Sequence, residues 1–509
     1  GYGLDAKAFI VNPDQATLQA MTLQMPNARP TPFGNVNVET RATARSADST
    51  YIVTDDPDAH VGHQTVDRRT AEAVARMQDE YIRGREMVVV EGFIGLEGAF
   101  RAPARLIIER SNANIAGMQD FLYYHDGVFR EPRLTIIYTP NLPAPGYPSN
   151  RLILVDLEAG VTRILNSDYF GESKKSGLRM WNDIVYRGGG LPLHAGCKVI
   201  PVGDRERVML IIGLSGTGKT TTTFTRQNNS LPVQDDFVAL MPDGTVRVTE
   251  NGCFAKTFGL SPETEPMIYR GVTMPNAYLE NVSQPAPDVI DFHDRSYTEN
   301  GRAVFPLSNI QYYDPTRLGP AEFFLILNRN DNIVPAVARL SGAQAAAYFM
   351  LGETQGTSAG GAAEMGKALR VPGTNPFFPL PHALQGNRFL EILRQHPMQV
   401  FLLNTGWVAG GADDPRAKKV EIRHSSAIVK AIAEETITWE EDPDFGYQVA
   451  AHVPGFPEED ADLLQPLRRY RAQGREGEYR ELVARLKADR RAALERFPGL
   501  DPTILQAVG

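Results

Sequence analysis

Cysteine is nearly absent: Cys197 and Cys253 are the only two in 509 residues. A disulfide framework is therefore excluded as the basis of the fold, and so few thiols fit a reducing compartment. Basic charge is in the minority, with 52 Lys and Arg against 61 Asp and Glu and a formal net charge of −9. That balance argues against a nucleic-acid or membrane-surface protein, whose electrostatic footprint is basic. Long hydrophobic runs are also missing, since no stretch approaches the ~18 uncharged apolar residues that span a bilayer. The longest candidate, VPAVARLSGAQAAAYFMLG from Val334, is interrupted by Arg339 and by polar residues. The opening GYGLDAKAFIVNPD lacks a basic stretch leading into an apolar run, so no signal peptide is expected in it. Neither internal repeats nor low-complexity tracts occur. The expectation is a cytoplasmic soluble protein that engages neither nucleic acid nor membrane.

What is present points to a mixed α/β protein. The chain is too long for one ordinary core, so two domains or one large composite are expected. Thirty-six prolines and 45 glycines punctuate many short elements. Residues 68–84, RRTAEAVARMQDEYIRG, carry helical spacing: Ala71, Val74, Ala75, Met77 and Tyr81 share a face, and Gly84 can end the helix. MVVVEGFIGL, RLIIE, LTIIYTP and RLILVDL read as strands. The glycine-rich RGGGLPLHAG at 187–196 suggests a boundary. From Glu478 to Phe497, Tyr479, Leu482, Val483, Leu486, Ala493 and Phe497 recur on a helical period, and the many charges between them read as a solvated face without chemistry.

The strand-like VMLIIG leads into GLSGTGKTTTT, from Gly213 to Thr223. Gly213-x-x-x-x-Gly218-Lys219-Thr220 is a full P-loop pattern. Its glycines let backbone N–H groups turn toward phosphate oxygens, Lys219 reaches the β- and γ-phosphates, and the Thr220 hydroxyl can ligate Mg²⁺. A strand before it and TTTTFTRQ after it, as a helix start, supply the expected context. Downstream, LPVQDDFVAL reads as an apolar strand delivering Asp235 and Asp236 side by side. Adjacent strand residues face opposite ways, so one carboxylate can address a metal and the other support it.

Two further stretches gain meaning only together. YFGESKKSG holds Tyr169, Lys174 and Lys175, and LPLHAGC holds His194 shortly before the P-loop. Singly, a histidine or a lysine pair is more often packed or solvated than functional. In this order, GESKKSG, His194, GLSGTGKTT, Asp235-Asp236 and NGCFAKTFGLSPETEPMIY resemble the ATP-dependent phosphoenolpyruvate carboxykinase family. YLENV at 278–282, ENGRAVFPL at 299–307 and NTGWVAGG at 404–411 continue the likeness, which runs from about residue 40 to about 430. The resemblance implies a two-domain carboxykinase-like α/β fold. Residues 1–190 would form a substrate-side domain. Residues 191–509 would form a P-loop nucleotide- and metal-binding domain with a helical tail, the site lying in the cleft between.

It also implies roles. Lys175, His194 and Asp236 would hold Mn²⁺, with Asp235 orienting the metal's surroundings; a lysine can serve because a nearby dication drives off its proton. Leu214, Ser215, Gly216, Thr217, Gly218, Lys219, Thr220 and Thr221 would cradle ATP, with Thr220 on Mg²⁺ and Lys256 as a further phosphate contact. Lys419 stands on the adenine side, where relatives carry arginine. Arg45, Arg302 and Tyr169 would hold oxaloacetate, since a guanidinium fork suits a carboxylate. Lys219, Lys174 and Arg302 would stabilise the phosphoryl group moving to the enolate left by decarboxylation. The GTP-dependent class carries a P-loop cysteine, and none lies between Gly213 and Thr223. The expected assembly is a monomer or small homo-oligomer. Two departures stand out: the family's GRSPxDK loop is ARSADST around Arg45, and its lid becomes ETQGTSAGGAAEMG at 353–366. They motivate one alternative, a divergent kinase acting on another small acid or alcohol; a second, from another class, is a nucleotide sensor without turnover, against which the three candidate Mn²⁺ ligands speak.

Overall fold

The four β-branched runs of the first third of the chain join one eight-stranded sheet. Its order is Ala8–Val11, Glu86–Ile94, Ala102–Glu109, Leu134–Thr139, Val161–Leu165, Leu152–Asp156, Thr50–Val53 and Thr65–Val66. The computed structural model describes every residue except Gly1, Glu97, Ala99, Ser215, 356–367 and Gly509.

The helix expected over 68–84 forms as Arg68–Ile82, with Asp67 accepting from the Thr70 N–H as its N-cap. Its buried stripe differs from the apolar period. Met77 is 39% exposed, whereas Gln78 is buried and donates to the Ile137 carbonyl and the Thr139 hydroxyl. Burial of a polar side chain is tolerated here because each amide hydrogen finds an acceptor.

The helix Gly171–Arg187 lies at the centre of the molecule, with 14 of its 17 residues buried. Trp181, Leu178 and Met180 pack with Ile136 of the first sheet and with Phe237 of the second. That second sheet has ten strands. Its middle strands, Arg205–Ile212, Phe323–Asn328 and Gln399–Asn404, run parallel, and Leu191–Val202 is antiparallel to the first of them. The P-loop leaves the C-terminal end of Arg205–Ile212, the usual place for a ligand in such a sheet.

A third, five-stranded sheet draws Ala28–Pro30 and Val36–Val38 onto Tyr278–Glu280, Arg302–Pro306 and Gly252–Lys256. The pairing joins segments more than two hundred residues apart and brings Arg302 close to the N-terminal segment.

The stretch LPVQDDFVAL is not one strand. Leu231–Gln234 and Phe237–Leu240 pair with different parts of Leu191–Val202, and Asp235 and Asp236 occupy the bend between them. The tail helix spans Glu476–Glu495. Its charged face is not wholly solvated: Arg490 is 1% exposed, bonds Glu353 at 2.6 Å and donates to the Tyr348 hydroxyl at 2.9 Å. Arg370 joins the same carboxylate at 2.8 Å. Glu353–Gln355 and Ala368–Arg370 pair antiparallel on either side of the stretch read as a lid, most of which lies outside the described residues. Among the described residues, no helix is long and apolar enough to cross a membrane.

Candidate active site

Gly216 and Gly218 adopt φ near +91° and +92°, a conformation that a side chain strains, so the loop turns sharply there. The loop is then pinned from outside. The Thr405 hydroxyl donates to the Thr217 carbonyl at 2.7 Å, and Arg329 donates to the Gly216 carbonyl at 3.2 Å. The helix Lys219–Phe224 follows. At its far end buried Lys198 donates to the carbonyls of Thr222 and Thr225 at 2.8 and 3.1 Å, satisfying groups that a helix end leaves orphaned. Burial brings the Lys198 ammonium down to about 7.

Asp236 is the hub of the site. Lys174 and Lys219 approach it at 2.5 Å each, His194 Nε2 at 2.9 Å, and Lys175 closely as well. Burial opposes ionisation of Asp236, but Lys174, Lys175 and Lys219 outweigh it and hold the carboxyl well below the usual range. Lys174 also pairs with buried Glu250 at 2.9 Å. Asp235 lines the same cavity and accepts from the Thr220 hydroxyl at 3.2 Å. The two carboxylates take different partners, and they sit in a bend and not at alternating positions of one strand.

The protonation of His194 follows from geometry. Its Nδ1 lies 2.7 Å from the Thr374 carbonyl oxygen, which can only accept, so Nδ1 carries the hydrogen. Burial, reinforced by Lys219, lowers the ring to about 3, leaving Nε2 as a bare lone pair at neutral pH. Burial, with Lys174 and Lys219 nearby, likewise pushes the Lys175 ammonium well below its ordinary value. An imidazole lone pair, a readily deprotonated amine and a carboxylate converge, and that donor set fits a divalent cation. Among the described residues no three His, Cys, Asp or Glu side chains gather as a metal site, so the candidate donor set here includes the Lys175 amine.

Beside the hub is a cavity of about 290 Å³ whose wall includes Arg45, Lys175, His194, Lys219, Thr220, Asp235, Asp236, Lys256 and Arg302. Leu214, Gly216, Gly218 and Thr221 complete its P-loop side. Arg302 is held by Asn300 Oδ1 at 3.1 Å and lies 4.5 Å from the Phe254 ring centroid. Tyr169 is not on the wall: it is buried behind it, its hydroxyl accepting from Asn300 Nδ2 at 3.2 Å. Lys174 is likewise behind the wall. Lys256 is brought down to about 7 by burial, with Arg302 adding to the effect. A second cavity, about 570 Å³, lies across the P-loop and is lined by Gly216, Thr217, Gly218, Thr221, Arg329, Thr405 and Lys419. Ser215 lies outside the described residues.

The family model described as Phosphoenolpyruvate carboxykinase matches residues 7–459. The chain belongs to this family. Among curated relatives, the phosphoenolpyruvate carboxykinase (ATP) of Geobacillus kaustophilus is 31% identical, covering 96% of this chain and 94% of the relative. That of Moorella thermoacetica is 30% identical, with 85% and 84% covered. A third, from Methylobacterium nodulans, is 31% identical with 81% and 79% covered. Read as a carboxykinase site, the cluster has members that motif reading missed. Glu250 balances Lys174, Asn300 aligns Arg302, Thr405 anchors the P-loop, and Phe377 walls the cavity. Thr405 lies inside the NTGW stretch, which was a usable signal. Glu250 and Phe377 carried none.

Proposed function

We propose that this chain converts oxaloacetate and ATP to phosphoenolpyruvate, CO₂ and ADP, as a cytoplasmic carboxy-lyase that also transfers a phosphoryl group. The observation that carries the reading is the meeting of Lys175, His194 and Lys219 on Asp236 in the same cavity that presents Arg45 and Arg302. A sensor has no use for such a hub, and a kinase acting on a neutral alcohol has no use for two guanidinium groups facing the acceptor. The division at about residue 190 into a substrate side and a nucleotide side is part of the same proposal.

The residues supply the steps as follows. Arg45 and Arg302 orient the two carboxylates of oxaloacetate by charge-assisted hydrogen bonds. Loss of CO₂ leaves its electron pair on the remaining three-carbon unit, whose oxygen becomes the enolate. Lys175, His194 and Asp236 would hold a divalent cation, which when bound would supply positive charge to stabilise the developing enolate. The P-loop N–H groups and Lys219 would hold the triphosphate, the Thr220 hydroxyl would ligate Mg²⁺, and Lys256, on the same cavity wall, would serve as a further phosphate contact. The enolate oxygen then bonds the γ-phosphorus as the bond to ADP breaks, with Lys219 and Arg302 offsetting the charge in transit. Lys174 stays bonded to Asp236 and Glu250 and fixes the hub. Lys419 and the larger cavity would receive the nucleoside.

The deciding assay measures oxaloacetate-dependent phosphoenolpyruvate formation with ATP, GTP or pyrophosphate as donor, with and without Mn²⁺. ATP should support the highest rate and Mn²⁺ should raise it. A preference for GTP or pyrophosphate would overturn the donor assignment, and ADP release with another acceptor but not oxaloacetate would favour the divergent kinase.

Arg45→Ala tests the acceptor. Arg45 makes no hydrogen bond or ion pair among the described residues, so the substitution breaks little in the protein itself. It should raise the Michaelis constant for oxaloacetate and lower turnover, a loss of about 1.5–3 kcal/mol, with ATP affinity little changed. Arg45→Lys should restore only part, because an ammonium offers a point charge and no fork. Unchanged oxaloacetate kinetics in Arg45→Ala would detach this residue from the substrate.

A further inference from the structure

Phe377 separates the reaction cavity from a smaller one of about 200 Å³. Both cavities share Arg45 and Phe377; the smaller adds Glu172 and Arg179. These two come from the helix Gly171–Arg187, where Arg179 follows Lys175 by one turn and so lies on the same face. The Phe377 ring carries all three cations: Arg45 and Lys175 at 4.8 Å and Arg179 at 5.6 Å from its centroid. Lys175 looks toward the reaction cavity, and Arg179 looks behind the ring.

Arg179 is 8% exposed, yet it makes no hydrogen bond and no ion pair among the described residues. A buried guanidinium normally finds an acceptor for its five N–H groups, because leaving them unpaired is costly. Glu172 acts on it only through space, its own hydrogen bond being taken from the Ser46 N–H at 3.2 Å. His63, also on the wall, contacts the Leu380 carbonyl and is pushed down by burial, so it adds no positive charge at neutral pH. The cavity therefore presents two guanidinium groups against one carboxylate and has room for a small ligand.

We propose that this second cavity binds a small oxyanion, phosphate or a carboxylate of similar size, between Arg179 and Arg45. Occupancy would engage Arg45 from behind and withdraw it from the oxaloacetate carboxylate, so the anion should oppose oxaloacetate and leave the nucleotide in place. Binding itself does not depend on the carboxykinase reading; only the kinetic consequence does.

The test therefore has two arms. In the first, inorganic phosphate and acetate are titrated calorimetrically onto the full chain saturated with a non-hydrolysable ATP analogue, so that the P-loop is filled. One site should remain, and Arg179→Met should weaken it about tenfold or more. Arg179→Lys, which keeps the charge, should fall between and guards against a folding defect, checked by thermal melts of all three proteins. Binding by either probe that Arg179→Met weakens supports the site, and the tighter of the two identifies the class. In the second arm, the better probe should raise the Michaelis constant for oxaloacetate without lowering turnover at saturation. Arg179→Met should escape this while its kinetics without added anion stay near the parent's. Loss of all binding once the analogue is present, or equal binding to Arg179→Met, overturns the proposal. So does an Arg179→Met variant whose own oxaloacetate Michaelis constant rises as far as that of Arg45→Ala, because Arg179 would then belong to the substrate site.

Discussion

Asp236→Asn should reduce turnover by at least about a hundred- to thousand-fold, the usual loss when a charge stabiliser leaves a water-poor site. The fold should weaken as well. In the parent, one carboxylate answers Lys174, Lys175 and Lys219. The amide keeps the shape and loses the charge, so buried ammonium groups face one another with only Glu250 to balance Lys174. Removing one partner of a buried ion pair costs about 3–5 kcal/mol. Deprotonation of Lys175, already driven down by burial, should moderate that loss. The difference between parent and variant has a pH signature. Because the folded Asp236 carboxyl lies well below its unfolded value, its contribution is complete above about pH 5. It is lost as pH falls through the folded value. Urea denaturation at neutral pH should therefore separate the two proteins clearly, and the gap should narrow in acid. Parental Mn²⁺-dependent turnover in the Asp236→Asn variant would remove Asp236 from the centre of the site.

The P-loop and the paired aspartates were legible as local patterns, whereas the lysine pair and His194 gained meaning only from their order along the chain; the fold brings them together around Asp236. The strands of the first sheet were legible for a related reason, since β-branched runs report burial directly. Other features depend on partners far away in the chain. Nothing near Ala28–Pro30 signals that it joins a sheet with Arg302–Pro306. Gln78 is polar and so dropped out of an apolar period, although its acceptors on the sheet make it a core residue, while apolar Met77 beside it faces outward. Arg490 read as one more surface charge because Glu353, which neutralises it, lies 137 residues away. Asp235 and Asp236 were placed side by side correctly but on a continuous strand. The change of partner along Leu191–Val202 that bends the chain between them is a tertiary event. Phe377 and Arg179 illustrate the same limit, since an arginine on a helix acquires meaning only when an aromatic ring from another segment turns its environment into a cavity.

Lys219→Met should separate chemistry from folding in a way that Asp236→Asn cannot. Lys219 is 7% exposed, reaches Asp236 Oδ1 at 2.5 Å and lines the reaction cavity at the start of the helix Lys219–Phe224. Methionine keeps an unbranched stem of similar length, so packing around the helix should persist. Asp236 still has Lys174 and Lys175, and the variant should unfold at nearly the parental urea concentration. The loop geometry set by Gly216, Gly218 and the Thr405 and Arg329 contacts is independent of this side chain, so nucleotide binding should weaken without disappearing. Turnover should nevertheless fall by about a hundred- to thousand-fold, because the missing charge acts most strongly on the phosphoryl group in transit. Lys219→Arg should not restore it. A planar fork needs more room than an ammonium, and in this slot the extra width meets Asp236 and the P-loop backbone. The measurements are single-turnover phosphoryl transfer, equilibrium binding of ATP and urea denaturation on the same preparations. If Lys219→Met keeps the parental rate but loses stability, then Lys219 serves Asp236 as a structural counter-ion, and the charge that meets the γ-phosphate must come from Arg302 or Lys256.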